Sequence, residues 1–465
     1  MSVHDRSDNR FLFTAPARLF ALQAVPMILV MLMNGLLSVV DAAFLGHFVG
    51  AKAMAAVSIA FPAVMIATAL STLVSGGMSS LYARQLGRQE LAAAGATFAR
   101  AHGLALTIAF AVVAVFLIAG RRALHAAAGA DTALEEAAHV YLLITLGAAP
   151  LQFMLGLHAD AWRNEGRVGL MAVLSVGVTL ANIAANYLLI VTLGLGVAGS
   201  ALGTVLAQGM ALATLLGLRW RGGGVVALAT LGSNRWTGGW GQIACLGAPL
   251  SLSFIGIAAV STAVIVALGT AGTGGHAQSL AAYGIVTRVF GFAFLPLIGM
   301  ALATQSIIGN LVGAGHFQRS NASLRIALIS ALVYCLAVEA ALLFAGQAIG
   351  TVFIDESPLR TEVGQILRVM GLLYLASGPT LVLALYFQAV GQPARAALLT
   401  MVKPFVLLPL LIFAFARFAG VEALWRAFPV ADGLIALLAG AVAVSALLNR
   451  PPRGGFGLPE PRPVA

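Results

Sequence analysis

Asp41 closes the apolar run LVMLMNGLLSVVD, where a carboxylate can hold and release a cation. An ionised acid in hydrocarbon costs on the order of 2.5–3.5 kcal/mol even on permissive scales, so it must face a cavity or polar partners. One reading makes it a proton carrier that is loaded when desolvated and unloaded when water returns. The other makes it an interfacial acid that caps the next segment. Asn182 and Asn186 lie four residues apart and share a helix face, as do Thr204 and Gln208 on the following helix. Together with Asp41 they can form a polar cation-coupling cluster, or serve as hydrogen-bonding glue between helices. Pro26, inside the first apolar run, removes a backbone hydrogen bond and permits a bend there.

Arg288 and Glu339 also fall inside apolar runs. A rise of about 1.5 Å per residue places them at similar depth on neighbouring helices, which predicts an intramembrane ion pair, structural or substrate-sensing. Met27, Met31 and Met65, with Asn34 and Arg288, are candidates to line a substrate cavity; flexible methionines suit varied ligands as well as ordinary packing. Asp160 and Asp432 read as solvated or packing acids rather than coupling sites. The histidines lack metal-ligand spacing, and HExxH, paired CxxC, P-loop and G-x-S-x-G motifs are missing, so no metal, no cofactor and no enzymatic activity are expected. Cys245 and Cys335 sit in apolar runs and suggest no disulfide framework.

The elements that must position these residues follow from composition. With 60% hydrophobic and only 9% charged residues in 465, the chain is an integral membrane protein, because no soluble core could absorb so much apolar surface. Long non-alternating runs predict an all-α fold of twelve transmembrane helices: 16–45, 53–79, 95–119, 136–159, 168–192, 196–218, 242–268, 279–308, 322–346, 362–388, 394–418 and 420–448. The net charge of +10 reflects topology rather than nucleic-acid binding, since basic residues occur in ones to threes between runs. With both termini cytoplasmic, seventeen of the 26 Lys and Arg face inward and seven outward, which fits a multi-pass protein of the cell inner (plasma) membrane with both ends inside.

The halves resemble each other at an offset of 223 to 226 residues: AVPMILV around Pro26 parallels GAPLSLS around Pro249, and GVAGSALGT from Gly196 parallels GVEALWRAF from Gly420. The expected organisation is an N-terminal tail 1–15, an N-lobe 16–218, a polar glycine-rich linker 219–241, a C-lobe 242–448 and a C-terminal tail 449–465, the two six-helix lobes being pseudo-symmetric. Such repeats build transporters that alternate access to a cavity between lobes.

Several separated motifs resemble those of multidrug and toxic compound extrusion (MATE) transporters: VVDAAFLGHFVGAKAMAAVSIAFP, SSLYARQLGRQELAAAGA, NIAANYLLIVTLGLGVAGSALGT and IIGNLVGAGHFQRS. The resemblance spans roughly 16–448. It implies a cation-driven exporter of amphipathic, often cationic organic compounds, acting as a monomer in the lipid bilayer, with Asp41 as the coupling carboxylate and a bend at Pro26 that moves it. The DinF-like branch commonly carries an Asp where this chain has Asn186, and losing that charge favours a proton over sodium as coupling ion, sodium being the less favoured alternative. NorM-like members place acids where Ile257 and Pro379 stand here, so the chain looks closer to the DinF-like branch. Two rivals remain open: a flippase for lipid-linked precursors, which an Arg-rich cavity would favour, and a channel or non-transporting scaffold.

Overall fold

A computed structural model describes residues 10–128, 131–270, 276–353, 357–448 and 455–457. The expected tails therefore fall largely outside the described residues. Those described form helices and turns with no strand, and the helices follow the apolar runs. They are α1 (Pro16–Phe44), α2 (Ala51–Gly87), α3 (Leu91–Val115), α4 (Thr132–Gly147), α5 (Ala149–Asn164), α6 (Val168–Asn186), α7 (Gly196–Trp220), α8 (Trp240–Thr270), α9 (His276–Gly313), α10 (Phe317–Phe353), α11 (Ser357–Gly371), α12 (Ser377–Ala389), α13 (Pro393–Val402), α14 (Leu408–Phe418) and α15 (Ala427–Leu448).

Ten helices among the described residues are long and apolar enough to cross a membrane, and twelve spans result when each of two bent pairs counts as one. The fourth and tenth expected helices are those pairs: α4 and α5 meet at 44°, and Leu359–Gly371 meets Tyr374–Ala389 at 49°. The first break has a local cause. Pro150, in the first turn of α5, has no backbone N–H to offer Leu146 and its ring crowds that carbonyl, so the helix cannot continue and the chain turns at Ala148. The second runs through Leu373, a non-glycine residue with φ +62°, into a 3-10 turn at Tyr374–Ala376. Pro26, Pro62, Pro249 and Pro296 all lie within continuous helices.

Packing groups the chain into two compact units, Leu29–Phe254 and Met1–Ile28 with Ile255–Ala465. Relative to lobes drawn in chain order, the first turns of α1 and α8 are exchanged. Glycines explain the exchange. A Cβ on Gly77 of α2 would lie 1.9 Å from the Ile243 carbonyl of α8, and one on Gly299 of α9 would lie 2.8 Å from the Ile28 nitrogen of α1. Only bare backbone permits such approach, which maximises dispersion contact where lipid supplies no hydrophobic drive.

Within the unit Leu29–Phe254, one core gathers Tyr82, Phe98, Phe153 and Leu157 from α2, α3 and α5. Within the other, Val264, Leu342, Val363, Ile412 and Trp425 form a core of comparable apolar character.

Candidate functional site

Four polar side chains from three helices close a ring in the unit Leu29–Phe254. Asp41 stands near the end of α1, one turn before a π-helical turn at Leu45–Val49. Asn186 ends α6 and is followed directly by another π turn, Tyr187–Thr192. Such turns widen the helix and recur at functional sites. Asn186 Nδ2 donates to Asp41 Oδ1 at 2.6 Å and to Asn182 Oδ1 at 3.1 Å. Asn182 Nδ2 donates to Thr204 Oγ1 at 3.1 Å, and that hydroxyl donates to Asp41 Oδ2 at 3.2 Å. Both asparagines are fully buried, while Asp41 and Thr204 are half-buried. The i, i+4 spacing on α6 thus brings both amides to one face, as expected. Gln208, one turn beyond Thr204, is half-buried and makes no hydrogen bond to Asp41.

Gly203 makes this ring possible. A Cβ there would lie 2.4 Å from Asn186 Oδ1, so α7 can approach α6 at this level only with glycine in place. Tyr141 of α4 is electrostatically coupled to Asp41 and hydrogen-bonds Thr145. Both carboxylate oxygens accept from neutral donors, and among the described residues no Lys or Arg pairs with Asp41. A proton added to Asp41 would leave the ring with no anion. Asn186 presents its N–H to Asp41, and its own buried Oδ1 has no hydrogen-bond partner among the described residues.

The other sequence candidates separate. Pro26 and the buried Met27 lie in the first turns of α1, beside the Gly299 contact. Met31 and Met65 are half-buried and Asn34 is exposed. The expected ion pair between Arg288 and Glu339 does not form. Arg288 is exposed, whereas the buried Glu339 accepts the N–H groups of Leu373 at 3.0 Å and Leu375 at 2.9 Å. The break between α11 and α12 releases backbone donors, and the carboxylate satisfies them instead.

Two polar clusters escaped the sequence reading. In the first, Glu165, just past α5, accepts from Tyr82 at 2.5 Å, from Arg219 Nη1 at 2.8 Å and from the Val225 N–H at 3.0 Å. Arg219 also donates to the Val226 carbonyl at 2.7 Å and lies over the rings of Trp162 and Phe98. The segment expected as a linker is thereby pinned by a buried ion pair. Nearby, His102 and His158 approach within 3.2 Å through their Nε2 atoms. In the second cluster, Lys403 pairs with Asp432, which also accepts from Ser377 at 3.3 Å. The available signal was a charged residue isolated within an apolar run, at Lys403 and at Asp432 alike; the partners, far apart in sequence, were not readable.

A family model described as MatE matches residues 26–188 and 249–413, one stretch in each half. Human "Multidrug and toxin extrusion protein 1" is 27% identical over 427 residues, covering 89% of this chain and 72% of the relative. Mouse "Multidrug and toxin extrusion protein 2" is 24% identical, covering 76% and 60%. Among solved structures, an outward-facing multidrug resistance MATE family transporter of the MOP superfamily superposes with a TM-score of 0.85 at 21% identity, covering 94% of this chain and 98% of that one. A MOP superfamily transporter from Pyrococcus furiosus superposes at 0.86 with the same identity and coverage. At that identity the structural likeness establishes the fold.

Proposed function

The chain belongs to the MatE family, a family of multi-pass membrane carriers rather than enzymes, and from that premise we propose that it is a secondary active efflux antiporter. It exports amphipathic and cationic organic compounds in exchange for protons, by alternating access of the lobes 16–218 and 242–448. Its place is the inner (plasma) membrane, with both termini cytoplasmic. The observation that carries the reading is the ring around Asp41, a carboxylate held by neutral donors and no counter-ion.

In this mechanism Asp41 takes a proton from outside, the donors on Asn186 and Thr204 lose their anionic acceptor, and the first helix rearranges around Pro26. Release of the proton inside restores the ring. Each elementary charge moved inward at 100 mV supplies about 2.3 kcal/mol before any pH gradient is added, enough to bias an equilibrium between two conformations. Met27, Met31, Asn34, Met65 and Arg288 are proposed to meet the substrate. Asn186, neutral where a second carboxylate would favour sodium, supports proton coupling and a place near the DinF-like branch.

A flippase for lipid-linked precursors would need cationic groups free to meet phosphate. The arginines buried among the described residues, Arg163 and Arg219, are instead engaged with Asp160 and Glu165. The test is efflux of a fluorescent cationic dye from proteoliposomes under an imposed proton gradient and, separately, a sodium gradient. Proton-driven efflux that disappears in Asp41→Asn is expected. Sodium-driven efflux that survives the substitution would sink the proposal.

A further inference from the structure

The strongest unassigned chemistry lies in the second half, at the break of the tenth span. Irregular backbone at membrane depth is tolerated where it is buried in protein or lines a polar cavity, and broken helices often build ion sites. Four observations converge there. Asp432 of α15, its side chain 5% exposed, pairs with Lys403, 26% exposed, and accepts from Ser377 at the first turn of α12. Lys403 opens a π-helical turn, Lys403–Leu407, whose second residue is Pro404, so the helix is locally wide and lacks a backbone donor next to the lysine. Leu373 holds a left-handed conformation at the break, with its N–H committed to Glu339. Tyr374, 5% exposed, lies at the same break, and its hydroxyl has no hydrogen-bond partner among the described residues.

The charge count favours a cation. Glu339 and Asp432 are two buried carboxylates against one ammonium, and the Glu339 charge is met only by backbone donors. The groups facing Asp432 are Lys403, Ser377, Glu339, Cys335 and Tyr374, with Tyr334 beside the last two. A metal ion is poorly served, because no trio of His, Cys, Asp or Glu among the described residues is placed to hold one. A proton needs only the carboxylate.

We propose that Asp432 is a second proton-exchange site, latched by Lys403: protonation of the carboxylate breaks the ion pair and frees the ammonium. An O–H bond forms on Asp432, the hydrogen bond from Lys403 Nζ is lost, and the lysine keeps its three protons. The charge of the pair rises from zero to plus one. None of this depends on the role of Asp41.

Infrared difference spectra of the purified full chain in lipid nanodiscs, stepped from alkaline to acid, read the C=O stretch of each carboxyl as it protonates. In the Asp41→Asn background, the spectra should contain a C=O component that vanishes when Asp432→Asn is added. In Lys403→Gln it should appear at a proton concentration at least about tenfold lower, since an opposite charge at this distance favours the ionised acid by that much or more. If Asp432→Asn does not fold, as judged by circular dichroism, Lys403→Gln/Asp432→Asn removes both buried charges and must lose the same component. Spectra that lose no component with Asp432→Asn, or a lost component that does not shift in Lys403→Gln, overturn the proposal. Failure of the Asp41 mechanism would appear separately, as dye efflux surviving Asp41→Asn.

Discussion

In the first half, α6 and α7 surround a carboxylate with neutral donors; in the second, the turn after α13 and the helix α15 bring an ammonium against one. These are equivalent helices in the repeat. At the offset of 224 set by Gly196 and Gly420, Thr204 corresponds to Phe428 and Gln208 to Asp432. The place matching Asp41, around Val264, is meanwhile a fully buried part of an apolar core. Both halves also put a π turn beside the polar group, at Tyr187–Thr192 and at Lys403–Leu407, although another at Phe116–Gly120 adjoins no such cluster. The lesson is that duplication preserved the scaffold while the acid changed helix, from the first of one half to the last of the other, one turn beyond the place matching Thr204. The first site is open to a change of charge, and the second is already neutralised by the protein's own cation.

The sharpest way to break this contrast is Asp41→Asn. Proton-driven dye efflux should fall to background while helix content and melting temperature stay near wild type, because the amide can keep one acceptor for the ring. Efflux that persists would mean that the two halves do not differ in the way described. Next in size is Gly203→Ala, whose added methyl must displace Asn186; overpacking of this kind costs about 1–3 kcal/mol. A lower melting temperature together with weakened proton dependence of efflux is expected, and an unchanged proton dependence would detach Asn186 from coupling.

Turning to the second half, Glu339→Gln leaves at least one buried backbone N–H facing an amide that can no longer accept it well. The expected cost is about 1–3 kcal/mol in thermal melts, with efflux retained. Loss of efflux at unchanged stability would instead assign Glu339 a direct role in transport. Smallest is Leu373→Gly, which relieves a left-handed conformation worth roughly 1 kcal/mol in an L-residue, less what a glycine loses in chain entropy. A slight rise in melting temperature is expected; a fall would show that the leucine side chain, not the backbone, holds the break.

Part of the first site was legible in the sequence because its logic is local. Asn182 and Asn186 share a face by helical spacing alone, and Asp41 stands out as an acid ending a long apolar run. The ion pair expected between Arg288 and Glu339 went wrong for the converse reason. Depth can be counted along a helix, but the backbone donors that captured Glu339 exist only because the tenth span breaks at Leu373. Tyr82, Glu165 and Arg219 likewise meet across 83 and 54 residues of sequence, and no periodicity announces such a meeting.

What the sequence determined by itself is the membrane-spanning all-helical architecture, the internal repeat and the position of the lone acid in the first span. Lipid leaves the backbone no partner outside its own helix, so apolar run length alone dictates the element. Tertiary structure decided which glycines let backbones touch, where the fourth and tenth spans break, and which charges find each other. Those outcomes depend on distances between residues far apart in the chain: an added Cβ would come within 2.4 Å of Asn186 Oδ1 at Gly203 and 1.9 Å of the Ile243 carbonyl at Gly77.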